Sequence, residues 1–435
     1  MRYPVAVRAA HHPWREIRGQ PVAGTRRQPL HEDEGGIMTY EEFIQSKRHS
    51  IGNHGFDPVW IPDMAFGFQE EVIRRIVRKG RVGLFADTGL GKTLMQLAFA
   101  YNVVKKTNKR VLILTPLAVA FQFIKEAENL GIDDICHTKD GKFDKSIVIC
   151  NYERLHRLDP NDFEAVLLDE SSILKALDGK TRRLLTEACM NVPYRLCCTA
   201  TPAPNDHTEI GNHAEFLGVC SQAEMLATFF VNANKEHVLS YGDITYRRKG
   251  SNANGTEWRL KHHAEQAFFQ WLASWAISMT KPSDLGYDDD GFVLPPLNVT
   301  PVFADSEYEG PQLFFTGLGG ITGRNKARRD SIEERIKRLR GLIGRHDGQW
   351  IVWCGLDSES AALASAFPEA VVVKGSDSPD YKARSFESFQ NGEHDMIITK
   401  PRTGGWGMNF QNAHNMAFFG LNDSWEEYDQ SIWRE

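Results

Sequence analysis

The sequence predicts an α/β protein: two units of parallel sheet flanked by helices, with a helical, aromatic-rich insertion between them. Three observations predict it. From Gly80 to Pro202, short β-rich apolar runs alternate with helix-forming stretches, the pattern of a mainly parallel sheet covered on both faces. A second series of the same kind starts near Val302. Between them, from about 217 to 299, aromatics become dense: Phe229, Phe230, Trp258, Phe268, Phe269, Trp271 and Trp275. The expected division is a basic, disordered tail at 1–40, a first unit at 41–216, the insertion and linker at 217–300, and a second unit at 301–435.

Bulk composition narrows the class. At 435 residues the chain is long enough for two or three domains and a sizeable core. Hydrophobic residues make up 41% and charged residues 25%, which is ordinary for a globular protein. The net charge of −6 excludes a globally basic polyanion binder, so any nucleic-acid contact must come from local patches. Seven cysteines with no C-x-x-C pair favour a reduced, cytosolic setting over a disulfide framework or a zinc site. No stretch approaches the roughly 18 apolar residues of a membrane span.

The first unit is organised around residues 84–93, LFADTGLGKT. An apolar run enters a glycine turn that ends in Lys92-Thr93, and helix formers follow at once. That is the layout of a phosphate-binding loop. Its backbone N–H groups must curl around a polyphosphate, so Thr88, Gly89, Leu90 and Gly91 form the cradle, with the two glycines supplying positive φ. The following helix N-terminus adds partial positive charge. Lys92 can reach the outer phosphates, and the Thr93 hydroxyl can hold Mg²⁺. Ala86 stands where the usual pattern opens with glycine.

Upstream, Val72, Ile73, Ile76 and Val77 recur at helical spacing, which predicts a helix from Phe66. Gln69, near its start, carries a donor and an acceptor, enough to read an adenine edge. Downstream, strands are predicted at 110–116 (RVLILTP) and 146–152 (SIVICNY), at the apolar start of 165–172 (AVLLDESS), and at the Cys197-Cys198 pair of 195–202 (RLCCTATP), with a helix at 121–130. The third strand runs into Asp169-Glu170. A strand ending in an acidic pair is the second half of a P-loop ATPase site: Asp169 for Mg²⁺, Glu170 to polarise the attacking water. Thr199 and Thr201 leave the last strand at its carboxyl end, where open α/β sheets place their ligands.

In the insertion, residues 264–279 read as a helix and most rings as core. Tyr246-Arg247-Arg248-Lys249 reads as a basic loop suited to nucleic acid, and 288–296 (DDDGFVLPP) as a linker. In the second unit, 331–343 reads as an amphipathic helix opened by a Ser331/Glu334 capping box. Its polar face carries Arg335, Lys337, Arg338 and Arg340. That is a solvated face or a phosphate-tracking patch. Strands are predicted at 349–354, 370–373, 395–399 and 415–419, a glycine loop at 404–409 (GGWGMN), and a closing helix at 424–435.

Taken in order, these stretches resemble the motif series of superfamily two helicases, most of all the Swi/Snf-type DNA translocases of phage and bacterial kind. Gln69 resembles the adenine-reading glutamine, and 86–93 (ADTGLGKT) is similar to motif I. Likewise 114–119 (LTPLAV) looks like Ia, 151–153 (NYE) like Ib, 169–172 (DESS) like II and 199–205 (TATPAPN) like III. Residues 351–354 (IVWC) resemble IV, 399–411 (TKPRTGGWGMNFQ) V, and 430–434 the start of VI. The resemblance covers about residue 60 onward. It implies two RecA-like domains with ATP and Mg²⁺ in the cleft between them and DNA, read without sequence preference, across the top. It implies that Thr199, Thr201, Gly405 and Gln430 couple hydrolysis to domain movement. Thr115, Pro116, Tyr152, Lys400 and Arg402 would lie along a DNA strand, and Arg434 would complete the catalytic set with Lys92, Asp169 and Glu170. DESS departs from the commoner DEAH or DEAD but keeps the acidic pair. The chain ends at Glu435, before the family's second motif VI arginine, so the resemblance implies a second domain truncated within that motif. A nucleotide-gated DNA clamp with little turnover is therefore the alternative to a motor. An RNA helicase is disfavoured by the GGWGMN loop. The setting implied is the cytoplasm of a bacterial or phage-infected cell.

Overall fold

The computed structural model describes residues 52–116, 119–176, 179–203, 206–232, 237–241, 244–248, 258–293, 297–304, 320–404, 408, 410, 412–421 and 425–432. The basic tail expected at 1–40 lies outside the described residues, as do Lys249 of the expected basic loop and residues 294–296 of the expected linker.

The expected α/β class is what the chain adopts. Helix α1 (Gly67–Lys79) buries Phe68, Val72, Ile73, Ile76 and Val77 along one side. It stops at Gly80, whose φ of 69° is the left-handed cap that glycine adopts without strain. The chain drops directly into β1 (Arg81–Ala86), then α2 (Lys92–Thr107), β2 (Val111–Thr115) and α3 (Ala120–Asn129). β3 (Ile135–His137), β4 (Ile147–Asn151), β5 (Ala165–Asp169), α4 (Gly179–Ala188) and β6 (Tyr194–Cys198) follow.

These strands pair in parallel in the order β3-β4-β2-β5-β6-β1, so every carboxyl end lies on the same edge. Strand alternation sorts the core onto two faces. Val111, Ile113, Ile147, Ile149 and Leu167 pack with α1, α2 and α3. Leu112, Leu114, Val148, Val166 and Leu168 face the other way.

That second face is covered by the aromatic segment. Helix α5 (Ile210–Leu217) and α6 (Gln222–Phe229) lead into β7 (Phe230–Asn232), which pairs antiparallel with β10 (Trp258–Leu260). Between those two, β8 (His237–Tyr241) and β9 (Ile244–Arg248) form a hairpin. Phe229, Phe230, Phe268, Trp271 and Trp275 are buried in the core, as expected for most of the rings, with ring centroids 5.3–5.7 Å apart along the series.

One expectation is corrected here. Residues 264–279 are not one helix: α7 (Glu265–Trp275) gives way to β11 (Ala276–Met279). β11 pairs in parallel with β1, as the seventh strand of the first sheet. The apolar run AISM fits a buried strand as well as a helix turn, and the open edge of β1 decides between them. The segment read as insertion and linker thus contains a strand of the first sheet.

The second sheet has the order β13-β14-β12-β15, all parallel: β12 (Trp350–Trp353), β13 (Val371–Val373), β14 (Met396–Thr399) and β15 (Asn415–Phe418). Its helices are α8 (Gly320–Asp330), α9 (Ile332–Ile343), α10 (Asp357–Ala366), α11 (Pro379–Gln390) and α12 (Trp425–Ile432). The Ser331/Glu334 capping box does not form. α8 runs almost straight into α9, so the Ser331 hydroxyl donates back to the Ala327 carbonyl instead. Among the described residues no helix is long and apolar enough to cross a membrane.

Candidate functional site

The carboxyl edge of the first sheet gathers the predicted residues. β1 delivers the loop from Asp87 to Gly91, and Gly89 and Gly91 take φ of 80° and 79°. Nothing lies within 4 Å of where a Cβ on Gly89 would stand, so this turn leaves open room. A Cβ on Gly91 would instead run into Gln69 Nε2. Gln69 is buried beneath the loop. Its Oε1 accepts from the Phe66 amide at 3.0 Å, and its Nε2 donates to the Leu90 carbonyl at 3.1 Å. Lys92, the first residue of α2, folds its ammonium back onto the carbonyls of Ala86 and Asp87, 3.0 Å each. A cation parked on the loop's own carbonyls is positioned to exchange them for phosphate oxygens.

Asp169 ends β5 and is buried. Each of its carboxylate oxygens has an uncharged donor: Gln96 Nε2 at 2.8 Å and Thr115 Oγ1 at 2.9 Å. Burial and the neighbouring Glu170 carboxylate push its pKa up to about 6, against those hydrogen bonds and the Lys92 charge. Two adjoining buried carboxyls are unfavourable alone, and a divalent cation relieves both. Glu170 leaves the strand with a φ of 48°, a left-handed conformation costly for a residue with a side chain. Thr199 Oγ1 reaches Glu170 Oε2 at 3.5 Å and accepts from the Thr201 amide at 3.1 Å. The threonine pair at the end of β6 is thereby tied to the acidic pair at the end of β5.

The residues fit a magnesium nucleotide. A glycine turn with open room at Gly89, a lysine on exchangeable partners, the Thr93 hydroxyl and a carboxylate clamped by neutral donors make the appropriate donor set. Gln96 Oε1 is buried with no hydrogen-bond partner, a polar atom left over at this site. Thr93 also opens onto a cleft of about 430 Å³, lined by Gln122 and Lys125 of α3 and by Gln390, Asn391 and Asn412 of the second unit.

The residues expected along a DNA strand all have partners inside the chain. Thr115 is fully buried on Asp169. The Pro116 carbonyl accepts from Asn151 Nδ2 at 3.4 Å. The Tyr152 hydroxyl donates to the Asp169 carbonyl at 2.7 Å. Lys400 pairs with Asp357 at 2.7 Å, and Arg402 with Glu427 of α12 at 2.6 Å. Gly405 and Arg434 fall outside the described residues, and Gln430 is described only as a position in α12.

Sequence reasoning missed Gln96, the contact of Thr115 with Asp169, and the contact of Ser171 with His213 of α5 at 3.1 Å. For Gln96 a signal existed. It lies three and four residues beyond Thr93 and Lys92, on the same helical face. Among the described residues no group of three or more His, Cys, Asp or Glu could hold a metal by itself.

Residues 68–238, which carry this site, match the family model of the SNF2-related domain. No curated protein matches the chain. Among solved structures, the chain is similar to the Sulfolobus solfataricus SWI2/SNF2 ATPase core in complex with dsDNA. That likeness has 15% identity and a TM-score of 0.42, over 84% of this chain and 83% of that one. It is also similar to the Sulfolobus solfataricus SWI2/SNF2 ATPase core domain, at 15% identity and a TM-score of 0.40, over 87% of each chain.

Proposed function

We propose that the chain is an ATP-driven DNA translocase of the Swi/Snf-like branch of superfamily two. The observation that carries this reading is the meeting of Lys92-Thr93 with Asp169-Glu170 at one sheet edge, within a segment similar to the SNF2-related domain. In this reading the amides of residues 88–92 and the Lys92 ammonium bind the phosphates. Thr93 and Asp169 hold Mg²⁺, which when bound supplies charge neutralisation at the phosphates. Glu170 orients and deprotonates the attacking water. Thr199 reports the state of Glu170 to Thr201 and the chain beyond it. Gly405, Gln430 and Arg434 close on the site from the second unit. Lys400 and Arg402 exchange Asp357 and Glu427 for backbone phosphates, which position a duplex without reading its bases.

The test is phosphate release with and without duplex DNA or RNA, for the wild type and Lys92→Ala. Duplex DNA is expected to stimulate turnover, and Lys92→Ala to lower it by at least about 10²-fold, the scale of losing a charge aimed at the reacting centre. Release that ignores DNA, or that survives Lys92→Ala, refutes the motor. Tight binding of ATP and DNA without turnover would make the chain a clamp.

A further inference from the structure

The nucleotide reading leaves one buried side chain of the site without a task. Gln96 is fully buried on α2, one turn beyond Lys92 and Thr93. Its Nε2 donates to Asp169 Oδ1 at 2.8 Å. An ionised carboxylate only accepts, so the amide nitrogen has to face Asp169 and the amide oxygen has to face elsewhere. That oxygen has no hydrogen-bond partner. Leaving a buried acceptor unpaired costs about 1–3 kcal/mol, and more than 90% of buried polar groups avoid it. An apolar residue of the same length would fill the space without that cost. A glutamine is worth its orphan oxygen only if both ends are used.

The other Asp169 oxygen is held by Thr115 Oγ1 at 2.9 Å, from β2. The carboxylate is therefore fixed from two elements by uncharged donors. They set its orientation while leaving its full negative charge for a cation. A lysine in place of Gln96 would fix it equally well and cancel that charge.

We propose that Gln96 is a positioning residue for the metal. Its Nε2 locks the orientation of Asp169, and its Oε1 is the acceptor that would be left for the hydrated cation. The proposal rests on the magnesium-nucleotide reading of the site. Partners of this outer kind set ligand orientation, and their loss costs about 10- to 100-fold in metal affinity.

The experiment uses the full chain and a fluorescent ADP analogue. Binding is titrated in EDTA and at rising Mg²⁺, and Mn²⁺ electron paramagnetic resonance reports the metal directly. Gln96→Met keeps the length and removes both polar ends. It is expected to leave the metal-free nucleotide affinity within about twofold and to raise the Mg²⁺ and Mn²⁺ midpoints about tenfold. Gln96→Asn, too short to reach Asp169, is expected to shift them in the same direction and guards against a folding failure of the first variant. A purely structural role predicts the opposite split: lower thermal stability and weaker metal-free binding, with the metal midpoints unchanged. That result overturns the proposal and leaves the nucleotide reading intact. A wild type that binds no nucleotide under either condition overturns both.

Discussion

The two glycines of the phosphate loop have nearly equal φ, yet they are not equivalent. At Gly89 a side chain meets only the left-handed backbone penalty, about 1–2 kcal/mol. At Gly91 it also meets Gln69 Nε2 and breaks the bond to the Leu90 carbonyl, worth about 1 kcal/mol more. Gly91→Ala is therefore expected to destabilise the chain by about 2–3 kcal/mol and Gly89→Ala by about 1–2 kcal/mol. Denaturant unfolding of the two variants side by side checks the difference, and equal losses would remove Gln69 from the loop's support. This also marks what single residues disclose. The loop was legible because its chemistry forces glycine and lysine at fixed spacing. Gln96 shares the helical face of Lys92 and Thr93, but that spacing gives it no role until its partner Asp169, on a distant strand, is placed beside it. The sequence shows the Gln69 amide, but its use of both ends on Phe66 and Leu90 is a tertiary fact.

Among the elements, the junction of α8 and α9 with the second sheet is held by one carboxylate. Glu359 of α10 is fully buried and accepts from Arg328 at 2.8 Å, from Arg335 at 3.0 Å and from the amides of Gly355 and Leu356 at 2.9 Å. Burial works to raise its pKa, but the guanidinium and amide donors outweigh it and hold the carboxyl below the ordinary range. Arg335 also lies over the Phe419 ring at 4.3 Å. The Arg328 guanidinium slots between Gly355 and Gly420, where either Cβ would collide with it. Glu359→Gln leaves two arginines facing a neutral amide in a largely dry site and is expected to cost about 3 kcal/mol. Circular dichroism during urea unfolding reads this, and a loss under 1 kcal/mol would mean that water already screens the cluster. The basic stripe on α9 was legible as a charge pattern. Its division was not: Arg335 turns inward, while Lys337 and Arg338 stay on the surface with Glu334. Helical period gives the face, and only Glu359, on another helix, decides which arginine it captures. β11 shows the same limit, since four apolar residues cannot announce whether an open strand edge awaits them.

At the scale of the molecule, the first unit carries one buried histidine and three others, less buried, whose pKa is also lowered. His213 is the deepest, 2% exposed, bonded to Ser171 and packed on the Phe85 ring at 5.3 Å. Burial holds its pKa down at about 4, and burial also lowers His54, His137 and His207. The unfolded chain takes up protons on these groups near the free-imidazole value of about 6.5, and the folded chain takes them up only at lower pH. Below that pH the unfolded state binds more protons, so stability is lost as pH falls. Above about 6.5 the contribution is complete. It drains away between about 6.5 and 4, where His213 itself would begin to charge. For His213 alone the full span amounts to about 3 kcal/mol. The lowered histidines act with the same sign, and Asp169, raised to about 6, opposes them, so the histidine contribution is read as the difference between wild type and a His213 variant from pH 7.5 to pH 5. Because His213 links Ser171 of the acidic-pair turn to α5, that loss falls on the elements beneath the candidate site. His213→Gln stays neutral throughout and can still bond Ser171. It is expected to be less stable than the wild type at pH 7.5 through imperfect packing, yet to show a visibly shallower fall in melting temperature toward pH 5. Parallel curves for the two proteins would show that His213 titrates alike in the folded and unfolded chain and that the acid loss arises elsewhere.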